Sequence, residues 1–116
     1  MQTIKLPWPP KELNPNKKLH WAVKSKFAKA YREQCRLLTL AAKLDVPQDG
    51  NINLWITFYP PDRRHRDDDN MISAFKSGRD GIADALQVND KRFRIHPHLD
   101  ENIGGYVEVG IDYPMK

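Results

Sequence analysis

Three consecutive aspartates stand in the most chemically suggestive stretch of the sequence, Arg63–Asn70. Asp67 and Asp69 are two positions apart, so in an extended or turn geometry their side chains point the same way. Two converging carboxylates repel each other unless a cation lies between them, and hard oxygen ligands select Mg²⁺, with Mn²⁺ as a substitute. The pattern therefore predicts a metal site on Asp67 and Asp69, with Asp68 pointing away and capping a helix. Three capping and solvating aspartates are the alternative interpretation.

Two further residues are candidates for the same site because of their positions in the chain. Asn89-Asp90 follows the predicted second helix in a tight turn, and Asp90 would supply a third carboxylate if that helix folds back against the preceding strand. Lys76 follows Asp69 by two turns of a continuous helix with roughly 3.6 residues per turn, which puts both on one face. A lysine there would hold a phosphate or developing negative charge. A common turn dipeptide and a surface lysine are the alternatives.

Positive charge is concentrated in the N-terminal third of the chain. The net charge is +4, and residues 1–36 alone hold nine Lys and Arg against two Glu. This asymmetry indicates that the protein binds a polyanion on one surface and carries out chemistry on it at another. The residues expected to neutralise nucleic-acid phosphates are Arg63, Arg64, Arg66, Lys17, Lys18, Lys24 and Lys26. A solvated, lysine-rich helix face is the alternative interpretation of the N-terminal charge.

The cysteine and histidine residues predict no additional chemistry. Cys35 is the single cysteine, which excludes an internal disulfide and fits a reducing cytoplasm. It falls within an apolar helical pattern that is typical of a small buried side chain. The four histidines show no zinc-binding spacing with cysteine.

The periodicity of apolar residues predicts four strands and two helices. The predicted strands are 3–6, 52–59, about 93–99 and about 106–111, and the predicted helices are about 25–44 and about 68–86. Gly78 and Gly81 weaken the middle of the second helix, so a kink or a division into two pieces is expected. Gly104-Gly105 indicates a hairpin between the last two strands. The order β-α-β-α-β-β predicts a single α+β domain over residues 1–116, with a mixed or mostly antiparallel sheet and two packed helices.

The sequence predicts a soluble intracellular protein with no membrane partner. Pro7 and Pro9-Pro10 interrupt the N-terminus before the apolar segment of a signal peptide could form. No apolar run approaches the roughly 20 residues that are needed to span a bilayer. We therefore expect a cytoplasmic location.

Three stretches of the chain resemble the RusA family of Holliday-junction resolvases, in the form common in phages and prophages. They are Leu6-Pro7-Trp8-Pro9-Pro10, Pro61–Asn70 and Val88-Asn89-Asp90, in the family's order and spread over nearly the whole chain. The resemblance implies a RusA-like fold and a Mg²⁺-dependent homodimer that binds four-way DNA junctions and hydrolyses a phosphodiester at each active site. It also implies a bacterial, phage- or prophage-encoded protein. Carried over, the family's aspartate pair falls on Asp67 and Asp69, and its later acidic residue falls on Asp90.

The sequence departs from the family at one active-site position. Well-known members carry a lysine four residues after the second aspartate, where this chain has Ser73. Lys76, about one helical turn later, is the expected substitute. The departure favours one rival hypothesis, a DNA-binding module of the same fold that has lost turnover. A second rival, a metal-dependent phosphohydrolase acting on nucleotides, would need a closed pocket, and the sequence has no glycine-rich phosphate loop.

Overall fold

The computed structural model describes residues 1–114, which form an α+β domain with a four-stranded mixed sheet and helices packed on it. The strands are β1 (Gln2–Pro7), β2 (Ile52–Tyr59), β3 (Phe93–Leu99) and β4 (Tyr106–Asp112). The helices are α1 (Trp21–Ala41), α2 (Asp68–Ala74) and α3 (Lys76–Leu86), with 3-10 turns at Lys11–Leu13 and Asp90–Arg92. The spatial order is β1-β4-β2-β3, in which β2 and β3 are parallel and the other neighbours antiparallel.

Alternation along the strands gives the sheet a buried face and an open face, because successive side chains point to opposite sides. The buried side chains of β2 are Ile52, Leu54, Ile56 and Phe58. They share one core cluster with Tyr31 and Cys35 of α1 and with Phe75 and Ile82 of the segment that contains α3. On the open face, Trp55 is exposed and stacks on His96 with ring centroids 3.9 Å apart. The helices therefore cover one face of the sheet and leave the other accessible.

The packing of α1 against α3 depends on Gly81. A β-carbon at this position would collide with the backbone carbonyl oxygen of Arg32 and would lie 3.1 Å from the β-carbon of Cys35. Glycine lets the two helix backbones approach closely. This close packing offsets the cost of glycine inside a helix, which is about 1 kcal/mol relative to alanine. The predicted division of the second helix is confirmed, but it falls at Phe75 rather than at the glycines, and α3 runs through Gly81.

The remaining element bounds agree closely with the sequence prediction, apart from α1, which covers Trp21–Ala41 rather than about 25–44. β2 and β3 have their predicted bounds, and β4 is one residue longer. α1 begins at Trp21, earlier than predicted, because Nδ1 of His20 accepts a hydrogen bond from the backbone N–H of Ala22 at 3.2 Å and caps the helix. Histidine is not among the preferred capping residues, so the sequence did not signal this start.

The predicted hairpin between the last two strands is wrong. β2 lies between β3 and β4 in the sheet, so the connection must pass across the end of β2. Gly104 and Gly105 belong to this crossing: the Gly105 N–H donates to the carbonyl of Tyr59 at 2.7 Å, and the Gly104 N–H donates to that of Pro60 at 2.9 Å. Gly105 has φ of 78°, which favours glycine. A glycine pair that looked like a two-residue turn is thus part of a longer loop.

Within residues 1–114, no helix is both long enough and apolar enough to cross a lipid bilayer.

Candidate nucleic-acid cleft and acidic residues

Asp62 anchors the segment that connects β2 to α2. Its Oδ1 accepts a hydrogen bond from the backbone N–H of Arg64 at 3.0 Å, and its carboxylate pairs with the Arg66 guanidinium at 2.9 Å. The hydrogen bonds from Arg64, backbone first, together with the nearby charge of Arg66, lower the pKa of Asp62 to about 2. The carboxylate is therefore ionised at physiological pH and keeps the turn in place.

Arg66 is held by the same segment and by the N-terminal stretch. Its side chain is only 14% exposed, and it donates to the carbonyl oxygens of Asp62 and Arg64 at 3.2 and 3.0 Å. Its guanidinium lies 5.5 Å from the ring centroid of Trp8, a cation–π contact that joins the two stretches. Arg63 and Arg64 are exposed. Of the three arginines predicted to bind phosphates, these two are therefore the accessible ones.

Asp67 is the N-cap of α2. Its Oδ1 accepts a hydrogen bond from the backbone N–H of Asp69 at 2.9 Å. The prediction that Asp68 caps this helix is wrong, because Asp67 has the extended backbone of an N-cap, with φ −88° and ψ 131°, and Asp68 is already helical. Asp68 does point away from Asp67: it lines a recess with His98 and Leu99, whereas Asp67 lines a different cleft.

A cleft of about 540 Å³ lies between the proline-rich stretch after β1 and the segment before α2. We call it the basic cleft. Its apolar wall is formed by Trp8, Pro9, Pro10, Pro61, Met71 and Ala74, and its polar edge by Lys11, Asn14, Asn16, Arg64, His65, Arg66, Asp67 and Asn70. It continues into a second cavity of about 400 Å³, which adds Lys17 and shares six lining residues with the first. Two of the three stretches that carry the family resemblance therefore face each other across one groove.

Lys76 and Asp90 lie side by side, away from this cleft's lining. The Lys76 Nζ is 2.9 Å from Oδ1 of Asp80, one turn later on α3, and 3.9 Å from Oδ2 of Asp90. The predicted alignment of Lys76 with Asp69 assumed one continuous helix; the interruption is a single residue, Phe75, whose backbone stays in the right-handed helical region, so the alignment stays a prediction. Lys76 therefore lies in direct contact with both Asp80 and Asp90.

Asp90 and Asp67 are reached from different strands of the sheet. Asp90 precedes Phe93, which pairs with Ile52 at the start of β2, whereas Asp67 follows the end of β2. Among residues 1–114, no three His, Cys, Asp or Glu side chains are grouped to hold a metal ion.

The three predicted ligands have the donor chemistry that suits a divalent metal ion. Asp67, Asp69 and Asp90 offer the hard carboxylate oxygens that Mg²⁺ prefers. Asp67 and Asp69 are neighbours at the start of α2, while Asp90 belongs to another part of the chain. Their role as ligands stays a prediction.

The four lysines predicted to bind nucleic acid divide between the groove and α1. Lys17 lines the second cavity, and Lys18 is exposed in the loop before α1. Lys24 donates to the carbonyl of Asn14 at 3.2 Å, and Lys26 is exposed on α1. Their basic charge therefore extends from the groove along the beginning of α1.

Four residues around these features escaped the sequence analysis. They are Lys11, Asn14 and Asn16 in the basic cleft and Asp80 beside Lys76. Asp80 had a usable signal, because opposite charges four positions apart on a helix commonly pair. The cleft residues had none within their own stretch, since their importance depends on the distant segment that they face.

The fold and the cleft define a small α+β protein with a basic groove that borders the acidic start of a helix. No family model matches the chain. A protein of Xylella fastidiosa (strain Temecula1 / ATCC 700964), described as an uncharacterized protein, is 45% identical over 106 residues, which cover 89% of this chain and 69% of that protein. The chain therefore belongs to the same protein family as this Xylella protein.

Proposed function

We propose that the protein is a Mg²⁺-dependent endonuclease that resolves four-way DNA junctions, as its resemblance to the RusA family implies. The observation that carries the proposal is the basic groove, in which cationic side chains converge beside Asp67. Among residues 1–114, the groove is lined by four Lys or Arg residues and a single carboxylate, a balance that attracts a polyanion. Such an activity suits a cytoplasmic protein of a bacterium, encoded by a phage or prophage.

Asp67 and Asp69 are the residues that would hold Mg²⁺, with Asp90 as the third ligand. The helix cap engages Oδ1 of Asp67, and Oδ2 has no hydrogen-bond partner among residues 1–114, so it is available to an ion. Mg²⁺ commonly takes one or two protein carboxylates and completes its shell with water and substrate phosphate. When bound, the ion would supply an activated water and stabilise the leaving oxygen of the phosphodiester.

Lys76 would steady negative charge on the phosphate. Its ammonium lies close to both Asp80 and Asp90, so the proposed third ligand, Asp90, has a cation beside it. A positioned cation stabilises charge that develops during phosphodiester cleavage. Lys76 would therefore act together with Asp90.

A homodimer would bring the two acidic regions together. Within residues 1–114 of one chain, Asp67, Asp69 and Asp90 are not grouped as a metal site, so the ligand set would be completed when Asp90 and Lys76 of one protomer meet Asp67 and Asp69 of the other. A two-fold dimer creates two such sites, which matches the two strands cut in a two-fold junction.

The outer side of α1 offers a surface for such a dimer. Val23, Phe27 and Leu37 are 41%, 36% and 52% exposed. Their spacing puts them on one side of α1, away from the buried stripe that contains Cys35 and Thr39. A second copy of the chain would remove these apolar side chains from water.

Cleavage of labelled DNA tests the proposal. Four-way, Y-shaped and linear substrates of shared sequence are incubated with the protein in Mg²⁺ or in EDTA. We expect symmetric nicks in the four-way junction in Mg²⁺ only, and no cutting of linear DNA. Equal cutting of linear DNA would contradict the junction specificity.

A DNA-binding module without turnover is the second candidate function. Ser73 at the family's lysine position and the ion pair of Lys76 with Asp80 favour it. Binding of junctions without cleavage in Mg²⁺ or Mn²⁺ would identify it. A nucleotide phosphohydrolase is disfavoured, because the two connected cavities form a groove rather than a closed pocket.

A further inference from the structure

We infer that the basic cleft binds one unpaired nucleotide of a DNA strand, with its base on the apolar wall and its phosphate at the cationic edge. The inference rests on the proposed function for its ligand, DNA. It adds a conformational requirement that the proposed function does not contain, namely that one base leaves the stack.

The apolar wall is rigid and contains an aromatic ring. Trp8 is half-buried, and its ring meets Phe58 edge-on, with centroids 6.2 Å apart, while Arg66 lies over it. Pro9 and Pro10, which follow directly, have restricted backbones. Paired bases hide their faces inside the duplex, whereas an unpaired base can place its face against an aromatic or apolar surface. This wall therefore suits an unpaired base.

The cationic edge contains two lysines that are not engaged elsewhere. Lys11 and Lys17 are exposed and form no ion pair or side-chain hydrogen bond with any other residue between 1 and 114. The loop between them is ordered by Asn14, whose Oδ1 accepts a hydrogen bond from the backbone N–H of Asn16 at 2.9 Å. By contrast, Arg64 and Arg66, which also line the groove, are both paired with Asp62. Lys11 and Lys17 are thus the groups available to a phosphate.

The dimensions of the groove favour a single nucleotide with its neighbouring backbone. A volume of about 540 Å³ falls within the roughly 300–1,000 Å³ of clefts that hold small ligands. The second cavity extends the groove towards Lys17, where the next phosphate of the strand would lie. Asp67 borders the cleft, so the bound nucleotide would stand beside the proposed metal ligands.

Binding in EDTA, which prevents cleavage, tests the inference on the full chain. The probes are a fluorescent duplex, the same duplex with one central unpaired thymidine, a four-way junction and free thymidine 5′-monophosphate. We expect the unpaired thymidine to tighten binding about tenfold over the paired duplex, in the range of one base stacked on protein. Lys11→Ala should abolish this preference. Lys29→Ala, an exposed lysine of α1 outside the groove, is the matched control and should weaken both duplexes equally.

Tryptophan fluorescence provides a second readout that reports on the wall. Trp21 and Trp55 are exposed, so a Trp21→Phe/Trp55→Phe variant leaves Trp8 as the reporter. Quenching by the duplex with the unpaired thymidine, and not by the paired duplex, is the expected result. Equal affinity for both duplexes with no differential quenching would overturn the inference while leaving junction binding intact. Strong quenching by the free nucleotide would overturn the assignment to a DNA strand. If no DNA bound at all, the proposed function would fail as well.

Discussion

The segment between Asp62 and Asp69 and the region around Lys76 and Asp90 differ in how firmly the fold holds them. The first is fixed by Asp62, by the paired guanidinium of Arg66 and by the helix cap at Asp67. The second relies on exposed ion pairs of Lys76, whose side chain is 52% exposed. Exposed pairs contribute roughly 0–1 kcal/mol each, so this second arrangement is easily changed.

This difference suggests that the two regions have different tasks. A segment with rigid placement at both ends can present carboxylates to a metal without further ordering. A lysine between two carboxylates on an exposed surface can exchange partners when DNA or a second protomer arrives. Substitutions should therefore reduce cleavage more in the first region than in the second. The free energy of unfolding should also depend more on the first region.

Asp67→Asn or Asp69→Asn should have the largest effect, reducing Mg²⁺-dependent junction cleavage to background while leaving junction binding intact. The amide removes the charge that a metal needs, and asparagine remains a good helix cap. Asp68→Asn is the matched control, because this neighbour faces another recess. Gel assays of cleavage and binding check both. Wild-type cleavage by either variant would refute the ligand assignment.

Lys76→Ala should slow single-turnover cleavage by roughly tenfold to a thousandfold, the range for loss of one charge-stabilising group. Junction affinity should change little, since one of many cationic contacts is lost. Ser73→Lys in the same background should recover part of the rate by returning an ammonium to the family position. A normal rate for Lys76→Ala would make Lys76 a surface residue and shift its role to Arg66 or Arg79.

Asp80→Asn should have a smaller effect on cleavage, about twofold to fivefold, as expected for an exposed ion pair worth under about 1 kcal/mol. Because Asp80 contacts Lys76 directly, the substitution should have no further effect in a Lys76→Ala background. Asp84→Asn, which breaks the pair of α3 with Arg32 instead, is the control. Additive effects of Asp80→Asn and Lys76→Ala on the rate would contradict the assignment of Asp80 as the positioning partner.

Asp67→Ala should lower the free energy of unfolding by about 1 kcal/mol, the usual contribution of an aspartate N-cap, whereas Asp67→Asn should leave it nearly unchanged. Urea denaturation followed by circular dichroism measures both. An equal loss in the two variants would mean that the charge of Asp67, rather than its cap, stabilises the first region.

The sequence was most informative where chemistry and local structure coincide. Alternation of apolar residues defined β2, and the acidic run after it marked the start of α2 correctly. Local patterns misjudged the features that depend on distant partners. Gly104-Gly105 resembled a hairpin turn, but strand order is decided by pairing across the whole sheet. Gly81 was expected to weaken its helix, whereas it allows α1 to pack closely against α3.

In the candidate site, too, local features were predictable from the sequence and features that depend on distant partners were not. Asp67, Asp69, Arg64 and Lys76 were recognisable from residue type and spacing. The basic cleft was not, because Lys11 lies in a proline-rich stretch whose partner is more than fifty residues away in the chain. The spacing in the sequence also did not show that Asp67, Asp69 and Asp90 are not grouped as a metal site within residues 1–114.

Mixing two inactive variants tests most directly whether the two acidic regions form one site across a dimer. Asp67→Asn and Asp90→Asn proteins are each assayed alone on a four-way junction, then unfolded together, refolded and assayed as a mixture. If Asp90 of one protomer completes the site of the other, half of the randomly formed dimers carry one intact site, so about one quarter of wild-type nicking should return. If each site belongs to a single chain, every site in the mixture lacks one carboxylate. A mixture as inactive as its two components would therefore contradict the account.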